Sequence, residues 1–530
     1  MTLREKYHRG IFIFALFLMA ASMSLGKFFL GGSLFIISAN WIVEGNFKSK
    51  YRLFLSRPSI AILMGLFLIH FVGLLWTPDH SAGWNDLKIK LPLFFIPMVI
   101  GTSLPLKKKA FEYLLLTFVG AVFISSIVTT LVVYKIYVPI KPILDIRDAS
   151  IFVPLIRLSL MTALSVFLLL RWTVRIENYF LKFLSLALVF WFNWFLQNMQ
   201  SLTGLVILYF GGFILLLTMS FIYRKRVFSI VLCSLFAIAG IFGVLTVNRM
   251  YSTFFTLHPI DSEQLDTLTL RGHKYDHNFK SAMIENGNPV MTYYCWNELD
   301  SAWNSRSKII FDRGKDTNGN PISITLLRYL ASKDWRKDAN AIAQLSDKEI
   351  AAVERGATNA LDSVRSPVER RLYQVCWELY HYSHDANPSG NSVTMRIELA
   401  KTAVNIIKQN PWIGVGTGGQ QKSFENHYQL SGSSIEKEWQ WLHAHNQFLS
   451  IGVCLGIPGL IYFIFSIWFV PHSMKRWRSY LYLAFFVVFL LSFLDDDTLE
   501  TSQGIGFFIF FNVLFLYMMP RGSAFNLDKE

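Results

Sequence analysis

The sequence predicts an all-α, polytopic membrane protein with about 12 transmembrane helices and a large, mainly helical domain on the outer face of the membrane. Of the 530 residues, 53% are hydrophobic and only 16% are charged. The apolar residues occur in blocks of about twenty, the length that crosses a bilayer. The predicted spans are 11–26, 28–44, 59–76, 91–104, 111–138, 151–170, 179–197, 202–222, 228–247, 446–470, 479–494 and 503–519.

The basic residues predict the orientation of the chain. The net charge is +14 at pH 7, and lysine and arginine cluster before span one and after spans two, four, six, eight and ten. Every second loop is therefore basic, as the positive-inside rule predicts for cytoplasmic loops. This placement predicts that both termini are cytoplasmic and that the loop from about residue 248 to 443 lies outside. Because the basic residues lie in the loops that membrane topology requires to be positive, the net positive charge does not indicate nucleic acid as a partner.

Composition divides the chain into four segments. Residues 1–250 carry spans one to nine, and residues 251–393 form an extracytoplasmic loop domain. Residues 394–445 hold an amphipathic helix and a segment rich in glycine and histidine, and residues 446–530 carry spans ten to twelve. The third segment is where soluble sequence meets membrane sequence, so we expect the site there.

The outer loop domain shows local helix signals and two cysteines. Ser346–Glu349 and Ser366–Glu369 have the spacing of capping boxes, which predicts helices that start there. Cys295 and Cys376 both lie in this domain. A disulfide between them and two unpaired thiols are both compatible with the sequence.

A glycine-rich loop follows the predicted amphipathic helix over 396–409. The sequence Gly-Val-Gly-Thr-Gly-Gly occupies positions 414–419. Successive backbone amides in such a turn can form an anion-binding nest, although loops also use glycine for geometry alone. The candidate binding glycines are Gly414, Gly416 and Gly418.

Two arginines are candidate ligands for a phosphate group. Arg157 lies in span six, where a charge is costly unless it serves a site, and Arg396 opens the amphipathic helix. Arginine binds phosphate oxygens bidentately and stays charged. The alternative for Arg157 is a side chain that snorkels to the surface or pairs with Asp145 or Asp148.

Histidine supplies a near-neutral group that can accept a proton from a hydroxyl, and His445 is the candidate base. The alternative for the His-Ala-His sequence at 443–445 is a metal clamp or a pair of interfacial hydrogen-bonding residues. No further ligands are spaced to complete a zinc site. We therefore predict no metal and no other cofactor.

Two outer turns carry polar residues. The hydroxyls of Ser201 and Thr203 either hold a ligand or cap helix ends. The acidic turn at 495–500 has Asp497 and Glu500 at a spacing that favours capping of span twelve. A secondary role in orienting a cationic side chain is the alternative for that turn.

One pattern resembles a known family. His445-Asn446, followed after nine residues by Gly456-Ile-Pro-Gly459, resembles the His-Asn-x9-Gly-x-x-Gly signature of the O-antigen ligase family. The sequence Asn-Pro-Trp-Ile-Gly-Val-Gly at 410–416 resembles the segment that precedes this signature. The resemblance involves specific residues over about 396–459. Elsewhere it involves only the number of spans and the large outer loop before the histidine.

The resemblance implies an inverting, metal-independent glycosyltransferase of the GT-C type in the bacterial cytoplasmic (inner) membrane, with a periplasmic loop and active site. Such enzymes transfer a glycan from an undecaprenyl-diphosphate carrier to an outer-face acceptor, lipid A–core in the ligases. By position, Arg396 is expected to bind the donor diphosphate and His445 to activate the acceptor hydroxyl. His443 and Asn446 are expected to bind substrate.

One departure from the family pattern concerns the turn at Ser201-Leu202-Thr203. The family usually has an arginine there, and Leu202 cannot supply that contact. Arg157 is the candidate replacement.

Three other functions remain open. An O-antigen or exopolysaccharide polymerase uses the same carrier but takes a second lipid-linked glycan as acceptor. A protein O-glycosylating ligase takes a serine or threonine. A transporter of lipid-linked glycans would usually show paired repeats and broken helices near the midplane, and this sequence shows no such pairing.

Overall fold

The computed structural model is mostly helical, and its helices divide between two units. It describes residues 2–139, 146–257, 265–384, 387–431, 435–436 and 444–520. Helix accounts for 73% of the structure and strand for almost none, which confirms a mostly helical polytopic chain. The first unit comprises Met1–Ile140, Ala149–Ser234 and Met395–Glu530. The second comprises Lys141–Asp148 and Leu235–Thr394.

The first unit contains most of the apolar helices. They are α1 Leu3–Leu25, α2 Lys27–Glu44, α3 Phe47–Ser56, α4 Pro58–Val72, α5 His80–Lys90, α6 Pro92–Gly101, α7 Lys108–Val133, α8 Leu155–Arg175, α9 Tyr179–Asn198, α10 Leu202–Val206 and α11 Gly212–Ile222. Helix α12, Arg226–Phe254, contributes to both units. The second unit contains β1 Ile284–Glu285, β2 Asn288–Pro289, α13 Trp296–Asn304, α14 Ile322–Ser332, α15 Ala339–Gln344, α16 Asp347–Glu354 and α17 Pro367–Tyr382. Helix α18, Ser392–Gln409, returns to the first unit, followed there by α19 Gln420–Ser431, α20 Gln447–Ser473, α21 Tyr480–Asp495 and α22 Ser502–Val513.

Eight helical segments in the described part of the chain are long and apolar enough to cross a membrane. A ninth appears if α2 and α3, which bend by 113° at their junction, count as one span. The chain is thus a multi-pass membrane protein, and the predicted total of twelve spans stays a prediction. The three remaining predicted spans are helical but shorter: α6 has 10 residues, α21 has 16 and α22 has 12.

Helices α8 and α22 lie at the centre of the first unit. In the apolar window of α8, 83% of the residues are buried, and every residue of α22 from Gln503 to Val513 is buried. Aromatic contacts such as Phe118 with Phe511, whose ring centroids lie 4.7 Å apart, fill the space around α22. Because both helices are buried on all sides, any polar side chain on them needs a partner inside the bundle.

The second unit is stabilised by local signals and its own apolar core. Strands β1 and β2 form an antiparallel hairpin. Helices α16 and α17 begin at Ser346 and Ser366, both with complete capping boxes, which confirms the helix starts predicted from spacing. Buried residues such as Trp303, Leu326 and Leu330 form the core.

The two cysteines of the second unit are unpaired. Cys295 and Cys376 are both free and buried. They pack in different clusters, Cys295 with Tyr275 and Cys376 with Tyr373. Of the two possibilities that the sequence left open, the structure has the separate thiols.

Candidate active site

The turn between α21 and α22, Asp495–Glu500, is the acidic turn. Helix α21 ends at Asp495, and the chain then runs extended through Asp496, with φ −155° and ψ 153°. Helix α22 is capped by the Thr501 hydroxyl, which accepts the Gly504 N–H. The predicted capping of this helix by the turn's own carboxylates is therefore wrong.

Arg157 of α8 is paired with this turn. Its guanidinium donates to a carboxylate oxygen of Asp496, and its Nε lies 3.4 Å from Thr501 Oγ1. Arg157 is 5% exposed and Asp496 4%. Buried charges persist only when they are paired, so this contact fixes α8 against the acidic turn. Of the two upstream aspartates considered as partners, Asp145 lies outside the described residues.

Arg396 approaches the same turn from the start of α18. Its Nη1 lies 3.1 Å from Asp495 Oδ1, and the two side chains are 33% and 32% exposed. The Thr203 hydroxyl donates to the other carboxylate oxygen of Asp495 at 2.5 Å. Arg396 is thus oriented by Asp495 but keeps exposed surface for a ligand, whereas Arg157 is enclosed.

His445 completes the cluster. Its Nδ1 lies 3.6 Å from Asp496 Oδ1 and 3.9 Å from Asp497 Oδ1, with 30% of the side chain exposed. These distances are too long for hydrogen bonds. The two carboxylates instead stabilise positive charge on the ring when it accepts a proton. The backbone of His445 is left-handed, with φ 43°, a conformation that is uncommon for non-glycine residues but that histidine adopts more readily than most.

The residues after His445 tie the start of α20 to both sides of the acidic turn. Asn446 caps α20 and donates from Nδ2 to the Leu494 carbonyl at 2.9 Å. The Gln447 side-chain oxygen accepts the Leu499 N–H at 2.6 Å. Asn446, predicted to bind substrate, therefore has a positioning contact in the structure. Gln447 was not singled out from the sequence.

Lys90 supports the far end of the acidic turn and was also missed. Its Nζ lies 2.5 Å from Asp86 and 2.8 Å from Glu500, and its side chain is 1% exposed. Burial by itself lowers the pKa of Lys90, but the two carboxylates raise it overall, so the lysine stays charged. In the sequence, a lysine directly before the apolar segment 91–104 is typical of a snorkelling residue.

The amides of the glycine-rich loop bond to other parts of the protein. The N–H groups of Val415 and Gly416 donate to the carbonyls of Val453 and Cys454, both at 2.9 Å. The Thr417 N–H donates to the Gly73 carbonyl at 3.1 Å. The anion-binding nest predicted from the glycines therefore does not form from these amides.

Close packing explains the three glycines predicted to bind substrate. Gly414, Gly416 and Gly418 have φ values of 67°, 84° and 84°. A Cβ on them would lie 2.5, 2.8 and 2.2 Å from backbone atoms of other segments. Only glycine allows this approach, so their role in the structure is to dock the loop.

The Gly-x-x-Gly end of the signature has a matching explanation. Gly456 interrupts α20 with φ 69° and ψ −173°. This break frees the Ile457 N–H, which donates to the Pro411 carbonyl at 2.8 Å. The signature and the 410–416 segment that precedes it are therefore parts of one docked arrangement.

The remaining predicted residues have these positions. Ser201 caps α10 and donates to Ser159 Oγ at 2.6 Å, so helix capping is its observed contact. Leu202 is 43% exposed and directly precedes Thr203, which contacts Asp495. His443 lies outside the described residues.

A metal ion is compatible with part of this geometry. One ligand atom each of His445, Asp496 and Asp497 lie within 4.8 Å of one another. Histidine and carboxylate ligands are common at divalent metal sites. However, Asp496 already compensates the buried charge of Arg157, which reduces the negative charge available to a cation.

A family model described as O-antigen ligase matches residues 356–464. The match confirms the resemblance noted in the sequence. It includes Arg396, the glycine-rich loop and His445, while Arg157 and the acidic turn lie outside it. Among curated proteins, none matches the chain.

Proposed function

From the O-antigen ligase domain at residues 356–464, we propose that this protein transfers a glycan from an undecaprenyl-diphosphate carrier to lipid A–core at the outer face of the bacterial inner membrane. Family members are glycosyltransferase-like ligases. The observation that carries the proposal is the convergence of Arg157, Arg396 and His445 on the acidic turn.

Arg396 binds the donor diphosphate in this mechanism. It is the cation of the cluster with the exposed guanidinium surface, and the partly exposed Asp495 orients it. As the bond between the anomeric carbon and the diphosphate oxygen breaks, the diphosphate leaves with both bonding electrons. A positive group placed beforehand stabilises that developing charge, and the loss of one such group costs about 3 kcal/mol of transition-state stabilisation.

His445 activates the acceptor. The acceptor hydroxyl oxygen attacks the anomeric carbon from the face opposite the leaving group, so the configuration inverts. Its proton passes to the imidazole, and Asp496 and Asp497 stabilise the resulting charge. The imidazolium then releases the proton to water.

Arg157 acts as a positioning residue here. It is too enclosed to contact a phosphate entering from the surface, but it holds the carboxylate that faces His445. The sequence-based idea that Arg157 replaces the arginine missing at Leu202 is therefore modified: Arg157 serves the acidic turn, and Arg396 alone contacts the diphosphate.

The test is a transfer assay with the purified full-length protein in lipid nanodiscs. The donor is undecaprenyl-diphosphate glycan, and lipid A–core, a second carrier-linked glycan and a serine-containing peptide are offered separately, with and without chelator. Product on lipid A–core, insensitive to chelator, is expected. Arg396→Ala and His445→Ala should each reduce turnover by about 100-fold or more.

Lys401→Ala is the matched control. Lys401 lies on the same helix as Arg396 and forms an ion pair with Glu398, and 59% of its side chain is exposed. It should keep normal turnover. Product only on the second glycan or on the peptide would reassign the reaction to a polymerase or a protein ligase. Loss of turnover with chelator would place a metal in the reaction.

A further inference from the structure

Three side chains that commonly bind metals meet in the second unit, apart from the candidate active site. Cys295 directly precedes α13 and Glu298 lies three residues later, so both point from the same helix end. His273 comes from the loop closed by the bridge between Leu268 and Lys274. One ligand atom of each of the three lies within 4.8 Å of the others.

The donor set is that of a zinc site. Thiolate, imidazole and carboxylate together favour zinc over the hard cations calcium and magnesium, which take oxygen ligands. Tetrahedral zinc with ordinary bond lengths separates its ligand atoms by about 3.3 to 3.6 Å. His273 Nδ1 already lies 2.7 Å from Glu298 Oε1, so these two side chains would have to move apart slightly to admit the ion. His273 has room for this movement because 61% of its side chain is exposed. The same exposure gives an ion an entry path and leaves a fourth position for water.

The surroundings hold the carboxylate ready for a metal. Glu298 is 4% exposed, and it accepts hydrogen bonds from the Thr269 hydroxyl at 2.5 Å and the Ala339 N–H at 3.1 Å. Such outer contacts, which orient a ligand, are a regular part of metal sites.

A hydrogen bond between His273 and Glu298 is the simpler role of the cluster. The His273 Nδ1 lies 2.7 Å from Glu298 Oε1, which satisfies both groups. It does not involve the Cys295 thiol, which packs with Tyr275 and Tyr293 and whose sulfur lies within 4.8 Å of both groups. A metal uses all three groups at once.

We propose that His273, Cys295 and Glu298 form a zinc site that ties the 268–274 loop to α13. Binding requires the Cys295 thiol to lose its proton to the surrounding water, and the thiolate then bonds to the metal in place of the proton.

The test uses cobalt(II) as a spectroscopic probe on the full-length protein in detergent. Cobalt bound to a thiolate gives an intense near-ultraviolet charge-transfer band, which added zinc should abolish by displacement. The band should be lost in Cys295→Ser and kept in the matched control Cys376→Ser, which changes another buried thiol of the same unit. Metal analysis should give one zinc per chain, reduced at least about tenfold in occupancy by His273→Ala at limiting zinc.

His273→Ala also keeps the proposal testable if Cys295→Ser does not fold, since His273 is exposed and its loss leaves the core intact. Absence of the cobalt band in the unmodified protein would overturn the site. A band that survives in Cys295→Ser, or zinc content unchanged in His273→Ala, would do the same. Neither result depends on transfer activity, so this inference and the proposed function fail separately.

Discussion

The acidic turn and the helix starts of the second unit organise charge in opposite ways. In the acidic turn, Asp496 pairs with a residue 339 positions away and Glu500 with one 410 positions away. At the start of α16, Ser346 and Glu349 satisfy each other across three positions. One region depends on the whole first unit being assembled, and the other on a single turn of helix.

We expect this difference to appear in the free energy of unfolding. The Arg157–Asp496 pair is almost fully buried, so removal of one partner leaves an uncompensated charge in an apolar interior. The capping box of α16 is exposed, so water replaces whatever is lost. We therefore expect substitutions in the acidic turn to unfold or inactivate the protein and substitutions in the capping boxes to produce local effects.

Asp496→Leu should have the largest effect. Because Arg157 would be left buried and unpaired, we expect a loss of about 3–5 kcal/mol in the free energy of unfolding. Denaturant titration in detergent, followed by tryptophan fluorescence, would measure it. Asp495→Asn is the matched control: its pair with Arg396 is about one-third exposed, so the cost should be about 1 kcal/mol or less.

The double variant Arg157→Met with Asp496→Leu separates stability from function. An apolar pair of similar volume should restore most of the stability, while transfer stays reduced because Asp496, one of the two carboxylates beside His445, is gone. If the double variant were as unstable as Asp496→Leu, unpaired charge would not be the cause. If it regained transfer, the positioning role of Asp496 would be wrong.

The same contrast explains what the sequence could predict. Capping boxes at Ser346 and Ser366 and apolar spans such as α8 follow from local spacing, and the structure has them. The partner of Arg157 could not be predicted in this way, because residues near in space are far apart in the chain. A lysine such as Lys90 gives no local sign that two carboxylates will surround it.

The glycine-rich loop shows a second reason for error. Its composition fits an anion-binding nest, but whether an amide is available depends on which carbonyl lies opposite it. That carbonyl belongs to residues such as Val453 or Gly73, which pack there only in the folded chain. His445, by contrast, could be predicted as a site residue, because histidine has distinctive proton chemistry and this one lies in a specific signature.

Gly418→Ala should have the next largest effect, and it tests long-range packing without a charge. The new Cβ would lie 2.2 Å from the Gly83 backbone nitrogen at a φ of 84°. Left-handed backbone costs a non-glycine residue about 1–2 kcal/mol, and overlap with backbone adds about 1–3 kcal/mol. Gly120→Ala in α7, where a Cβ meets nothing within 4 Å, should be neutral in the same denaturant titration. Equal effects at both positions would argue against the docked loop.

A buried histidine gives the second unit one pH-dependent contact. His381 accepts the Ile284 N–H at Nε2, and burial lowers its pKa from 6.5 to about 4. Because the folded pKa is below the unfolded one, the neutral ring stabilises the fold above pH 6.5, and this stability is lost as the pH falls toward 4. We expect a loss of about 2 kcal/mol between pH 7 and pH 5.

Hydrogen exchange of α17 at the two pH values would measure this change, after correction for the intrinsic exchange rate. His381→Gln removes the titrating group and should flatten the pH dependence. His384 lies two residues beyond the end of the same helix and is more exposed, which makes it the control: His384→Gln should leave most of the dependence in place. A steep dependence that persists in His381→Gln would assign it to another group.

Ser346→Ala should have the smallest effect, because the capping box that it removes depends only on neighbouring residues. The Ser346 hydroxyl accepts the Glu349 N–H and donates to the Glu349 carboxylate at 2.8 Å, so its loss should cost about 1 kcal/mol. Ser346→Gly should cost only a few tenths of a kcal/mol, since glycine leaves the backbone N–H groups at the helix start accessible to water. Faster hydrogen exchange confined to α16 is the expected result. If exchange also rose throughout α14 and α15, the cap would be coupled to the whole second unit. The capping box and the acidic turn would then not differ in how far their effects extend.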